Sequence, residues 1–314
     1  MAATGILNFM VPGSESSLFR NGKVMIDRNA DGNTTESRGI ELESHEVPLV
    51  NGREGSPPTW ALHGFELLDA PLETPPDFLD HDTVISQYYP DCAALVREAT
   101  GAEVFAFDHN LRSASAKAQG KRVAGGQDVQ GPAHVVHGDY TLRSAPDRLR
   151  QLAAPPSGND TLKGHLPDGV SLVPGPLAEQ ALAGGRFAII NVWRSIVDDP
   201  VVTNPMALCD GQSVAPDDLV VFEIHYADRV GENYFAKFSP SQVYYHYPEM
   251  TRDEALLIKQ WDSAGQLGQT NGASGDASGG PCTFSFHSAY QHPEPDPTAP
   301  DRFSIEVRCL VIYD

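Results

Sequence analysis

The sequence predicts a mainly β protein with peripheral helices, built on a double-stranded β-helix (jelly-roll) core. Three observations carry that expectation. The 28 glycines and 25 prolines supply turns throughout the chain, which favours many short strands. Short apolar, β-prone runs recur through the C-terminal two-thirds, with few helical patterns between them. The 314 residues show no internal repeat and no linker between two cores, so a single domain accounts for the length.

Residues 1–56 are expected to form an N-terminal arm or irregular cover, because 13–17 and 27–37 are polar and rich in turn formers. The jelly-roll domain is expected over 57–314. It opens with a loosely alternating strand at 60–68, ended by Pro71 and the Pro75-Pro76 pair. Residues 91–98 have helical spacing, with Asp91 as the N-cap and Gly101 as the stop. Strands are expected at 103–107 and 134–140, on either side of a surface loop at 113–131. Helices at 145–152 and 177–182 bracket a Pro/Gly-rich insertion at 154–169. The run 187–193 is nearly all apolar and reads as a buried strand. Strands follow at 219–224, 242–247, 255–261, 283–287 and 303–313, with a Gly/Ser/Asn-rich loop at 265–280.

Bulk charge removes several functions. With 22 basic against 42 acidic side chains the net charge is -20. Such a chain offers no basic surface for phosphates and is repelled by anionic lipid. The four cysteines form no C-x-x-C pair, which speaks against a zinc knuckle and a disulfide framework. The apolar run at 6–11 is too short for a signal peptide or a membrane span, so a cytoplasmic location is expected. Signatures of P-loop, Rossmann, α/β-hydrolase and zincin chemistry are absent from the sequence. Histidine and carboxylate are left.

His137-Gly138-Asp139 is an H-x-D triplet. With 11 histidines and 42 acids in 314 residues, about 1.5 such matches arise by chance, and His292-Pro293-Glu294 is a second one. Context distinguishes the first. On a strand, residues i and i+2 share a face, so His137 and Asp139 can point into one interior. A third donor must come from a distant strand, and His287 ends the β-prone run 283–287. Two imidazoles and one carboxylate leave adjacent coordination positions open, which suits non-haem Fe(II) and oxygen chemistry. The plain alternatives are a polar pair at a strand end and a hydrogen-bonded core histidine. Farther on, Arg302 and Ser304 share a face at the start of the last strand. A guanidinium beside a hydroxyl is a receptor for a carboxylate.

The chain resembles the jelly-roll 2-oxoglutarate/Fe(II) oxygenases, and more narrowly the group with gibberellin desaturase and the small component of cephamycin methoxylation. The resemblance rests on residues 107–112, His137 to Thr141, Asn191 to Arg194, 247–250, 261–263, His287 to Ala289 and 302–308, so it spans about 60–314. It implies Fe(II) on His137, Asp139 and His287, with no catalytic side chain beyond the metal centre. It also implies 2-oxoglutarate as cosubstrate, its distal carboxylate anchored by Arg302 with help from Ser304. The interval from His287 to Arg302 is longer than in plant relatives, and Ser195 stands where the pattern has proline. Arg308 therefore stays open as a rival anchor, since its even offset from Arg302 gives it the same face.

Asn191, Arg194 and His109 are the substrate-binding candidates. Asn191 and Arg194 have odd spacing, so only one of them faces the interior; His109 belongs to a cluster with Asn110 and Arg112 that serves either the mouth or a strand end. The expected activity is dioxygen-dependent hydroxylation, desaturation or cyclisation of a small natural product or amino-acid-like molecule, as in secondary metabolism. Two alternatives remain: a non-catalytic jelly-roll binding protein, and a metal-dependent dioxygenase that uses no 2-oxoglutarate. Oligomeric state is open.

Overall fold

A computed structural model describes residues 3–29, 33–158, 160–226, 229–276 and 280–314, apart from the side chain of residue 19. Fifteen strands are found among them. The first half contributes β1 (Ala3–Met10), β2 (Met25–Arg28), β3 (Thr34–Arg38), β4 (Leu42–Asn51), β5 (Phe65–Asp69), β6 (Glu103–Arg112) and β7 (His137–Gly138). The second half contributes β8 (Phe187–Ser195), β9 (Met206–Cys209), β10 (Leu219–His225), β11 (Val230–Ala236) and β12 (Tyr244–His246). The last three are β13 (Glu254–Asp262), β14 (His287–Ala289) and β15 (Ser304–Ile312). They form a ten-stranded sheet in the order β1-β4-β12-β9-β14-β7-β11-β10-β2-β3, and a five-stranded one in the order β5-β13-β8-β15-β6.

The small sheet explains why β8 reads as a continuous apolar run. All nine of its residues are buried, because the sheet is covered on both faces. One face looks across to the large sheet. The other packs under the helix Tyr89–Thr100, whose Cys92 and Val96 join Ile305, Leu111 and Val307 in the main apolar core. That helix stops at Gly101, whose φ of 66° is left-handed and suits glycine. It starts earlier than the sequence suggests: Asp80, not Asp91, caps the helical segment, accepting from Thr83 N at 2.8 Å.

The N-terminal segment departs from expectation. It supplies β1 to β4 of the large sheet instead of an irregular cover. The reason is long-range pairing: β2 hydrogen-bonds β10, and β4 hydrogen-bonds β12. Only β3, exposed along its whole length, is an edge of the kind its polar sequence suggests. Strands around the H-x-D triplet and at 283–286 are shorter than expected. Thr283 N and Ser285 N bond to the Asp276 carboxylate and Lys259 O, so they form no regular ladder.

Candidate metal centre

The site starts from strand register. His137 on β7 lies directly opposite His287 on β14, and their rings are 4.4 Å apart between centroids. Asp139 follows two residues after His137. One donor atom from each of the three lies within 4.8 Å of the others. Gly138 between them is closely packed: a Cβ there would meet the Phe284 ring at 3.2 Å.

Hydrogen bonding fixes which atoms face inward. His137 Nδ1 lies 2.8 Å from Val135 O, so this nitrogen carries the proton and donates. The Nε2 lone pair is then left 3.7 Å from an Asp139 carboxylate oxygen. Burial, with His287 nearby, pushes the His137 pKa down to about 4, and burial lowers that of His287 too. Two neutral imidazoles and a carboxylate, largely withdrawn from solvent and turning lone pairs toward one point, repel one another unless a cation sits between them. The donor set therefore fits a divalent metal.

The small sheet holds the carboxylate from behind. Arg308 Nε on β15 donates to Asp139 Oδ2 at 3.2 Å, and Asn191 Nδ2 on β8 donates to it at 3.1 Å. Gln260 on β13 accepts from the Asp139 backbone N–H at 3.0 Å. Burial works against the Asp139 charge, but Arg308 and the two histidines outweigh it and hold its pKa well below the usual carboxylate range. Arg308 is saturated by acids, since it also reaches Asp108 at 3.0 Å and Glu306 at 3.4 Å. Burial opposes its charge as well, and the three carboxylates override that.

Arg302 is different. It is 2% exposed, its Nη1 donates to Asn204 O at 2.5 Å, and its guanidinium lies 5.6 Å from the Trp193 ring centre. Its Nε has no hydrogen-bond partner among the described residues. Burial, with Arg112 nearby, pulls its pKa down to about 9, the mark of a cation without its anion. Arg302 lines one small cavity with His137, His287 and Ser288. Ser304, buried at the same end of β15, lies 3.5 Å from Arg112 O.

The substrate-binding candidates fare unevenly. Arg194 pairs with Ile305 on the outer face of the small sheet, where it donates to Tyr88 OH, Ala70 O and Arg252 O. Those bonds hold the helical layer to the sheet, which corrects its placement at the substrate. His109 also faces outward, opposite Val307, and its Nδ1 lies 2.9 Å from Tyr89 OH. Its neighbours Asp108, Asn110 and Arg112 are the inward residues. Asn191 does face the interior, but behind Asp139 and Glu306 rather than in the open cavity. Arg308, the rival anchor, is matched by three carboxylates. Gln260 and Glu306 were missed; the even spacing from Ser304 to Arg308 carried the signal for Glu306.

A cavity of 360 Å³ opens beside His137 and Asp139, lined by Phe222, Phe235, Arg28 and Arg112 among others. A curled two-sheet barrel that buries two imidazoles and a carboxylate between this cavity and an anion-free arginine defines a non-haem, metal-dependent oxygenase.

Known proteins agree with that class. A family model described as Oxidoreductase/YMDC permease-like domain matches residues 7–312. The Fe(II)/2-oxoglutarate-dependent dioxygenase nvfI of Aspergillus novofumigatus (strain IBT 16806) is 31% identical over 235 residues, covering 74% of this chain and 68% of its own. An uncharacterized protein in the dcmA 3' region of Methylophilus leisingeri is 43% identical over 193 residues, 60% of this chain and 89% of that one. Hydroxylase/desaturase poxK of Penicillium oxalicum is 26% identical over 270 residues, covering 79% and 71%. None of these three is named for gibberellin or cephamycin chemistry. The chain belongs to the family of that model and to the Fe(II)/2-oxoglutarate-dependent dioxygenases. It is an oxidoreductase that uses iron and 2-oxoglutarate. The solved structure of the iron and alpha-ketoglutarate-dependent endoperoxidase NvfI shares its jelly-roll fold, with a TM-score of 0.69 at 24% identity over 99% of this chain and 97% of that one. Among the described residues no helix is long and apolar enough to cross a membrane.

Proposed function

We propose that His137, Asp139 and His287 hold the iron, and that Arg302, beside Ser304, receives the distal carboxylate of 2-oxoglutarate. The observation that carries this reading is the pairing of a buried two-histidine, one-carboxylate cluster with a buried arginine that has no acid of its own. Bound there, Fe(II) with 2-oxoglutarate and dioxygen supplies an oxidant able to take hydrogen from an unactivated C–H bond, yielding succinate and carbon dioxide. The protein's residues do the rest. Val135 O fixes the His137 proton on Nδ1, leaving Nε2 for the metal. Arg308 and Asn191 keep Asp139 ionised and oriented, as outer partners of metal ligands do. Trp193 supports Arg302 from one side, and the sheets exclude water.

The substrate is a small natural product or an amino-acid-like molecule, hydroxylated, desaturated or cyclised in the cavity beside His137. Two relatives are named dioxygenase and hydroxylase/desaturase, which supports that range of outcomes. A net charge of -20 supports an enzyme without nucleic-acid or anionic-membrane partners, and four cysteines without a C-x-x-C pair fit a reducing, cytoplasmic location. The test is an anaerobic Fe(II) titration with and without 2-oxoglutarate. A weak visible charge-transfer band is expected only when both are present. His137→Ala and His287→Ala should each lose the band and succinate formation while far-UV circular dichroism stays unchanged. A wild-type protein without the band, or variants that keep it, would overturn the assignment.

A further inference from the structure

We infer that the primary substrate carries a carboxylate on an apolar skeleton, and that Arg28 and Arg112 bind that carboxylate. The inference rests on the active-site reading above and extends it to the 360 Å³ cavity next to His137, a volume within the range of small-molecule sites.

The charges lining this cavity pair off almost completely. Arg20 is held by Asp147 and Glu232, at 3.1 and 3.0 Å. Arg148 and Arg229 share Asp160, at 2.9 and 3.4 Å. Arg308 is held by Asp108 and Asp139. His134 is kept neutral by burial. Two cations are left over. Arg112 makes a single hydrogen bond, from Nη1 to Gly131 O at 2.9 Å. Arg28, at the end of β2, forms no ion pair among the described residues, and its Nε is buried without a partner. The two guanidiniums are close enough to repel each other: burial chiefly lowers the Arg112 pKa, and Arg308 and Arg28 add to it against the pull of Glu306. In a chain of charge -20, two half-buried guanidiniums that form no ion pair among the described residues mark a place for an anion from outside.

One stretch of the wall is apolar. Ile26, Ile40, Phe222, Ile224 and Phe235 line it, and Phe222 stacks on Phe235 at 4.2 Å. Phe235 in turn stands edge-on to His137 at 6.5 Å. An apolar skeleton laid along this wall, with its carboxylate on Arg28 and Arg112, presents its carbons toward the metal centre.

The test uses the metal-free, full-length protein in chelator, titrated with straight-chain carboxylates from butyrate to dodecanoate below their micelle concentrations. Primary alcohols of equal length are the controls, and thermal shift and calorimetry are the readouts. Saturable binding is expected to tighten with chain length for the acids, with the alcohols at least tenfold weaker. Arg28→Gln and Arg112→Gln should each weaken the acids at least tenfold, and Arg28→Lys should restore part of the loss. The inference is overturned if no acid binds, if alcohols bind as well as acids, or if Arg28→Gln binds acids like wild type. The Fe(II)/2-oxoglutarate band, read on the same variants, separates the two readings. A missing band in wild type sinks the active-site assignment; an Arg28→Gln protein that loses the band shows Arg28 serving 2-oxoglutarate, and overturns the inference alone.

Discussion

Arg302 and Arg308 lie six residues apart, the first two residues ahead of β15 and the second in its middle, and both are largely withdrawn from solvent. Arg308 is surrounded by Asp139, Asp108 and Glu306, so its charge is spent inside the protein. Arg302 has a carbonyl and an aromatic face but no acid within ion-pair distance among the described residues. A shared face thus sets where a side chain points, and its neighbours set what it is free to bind. In the proposed site, the guanidinium already matched by acids would brace Asp139, and the one without them would receive a ligand's carboxylate.

The sharpest way to break this comparison is to measure 2-oxoglutarate affinity in Arg302→Ala and Arg308→Ala side by side. Removing one member of a buried charged pair costs about 3–5 kcal/mol, roughly two to three and a half decades of Kd. Arg302→Ala should show that loss while still binding Fe(II), and Arg302→Lys should recover part of it, keeping charge but not the two-pronged geometry. Should Arg308→Ala weaken 2-oxoglutarate more than Arg302→Ala does, the roles are reversed.

A second measurement reads stability in place of affinity. Arg308→Ala strands three carboxylates, and urea unfolding of the metal-free protein should show a loss of about 3 kcal/mol, the low end for a broken buried pair. The low end is expected because Asn191 still donates to Asp139 and Thr161 to Asp108. Arg302→Ala should unfold close to wild type, because it leaves no acid unpaired. Equal destabilisation by both variants would erase the distinction.

The smallest effect concerns the outer face of the same sheet. Burial pushes the His109 pKa down to about 4, against about 6.5 in an unfolded chain. The unfolded state therefore binds the extra proton first as pH falls. The stability tied to neutral His109 is complete above about pH 6.5 and is lost progressively as pH drops toward 4. His109→Gln should flatten the stability–pH curve in that window. If 2-oxoglutarate turnover instead loses its pH dependence there, His109 belongs to the active site after all.

The candidate metal donors were legible because two local signals met: an H-x-D triplet on a strand, and a histidine beside a β-prone run. Register made them one site, since His137 and His287 are cross-strand partners. Arg194 and His109 misled because their motifs are polar, while their side chains serve the helix-covered face. Strand parity alone gives two faces without saying which is inward. The N-terminal strands were hidden for a related reason: their hydrogen-bonding partners lie near residues 220 and 245, far along the chain.

The sequence by itself determined the period-2 patterns, the turn chemistry and the donor types, because these depend on neighbours a few residues away. It therefore carried the mainly β character and the His137, Asp139, His287 and Arg302 candidates. Only the tertiary structure decided which carboxylates reach which arginine. Arg308 meets Asp139 across 169 positions of chain and Asp108 across 200. Charge pairing falls off over a few ångströms of space, and sequence separation has no bearing on it.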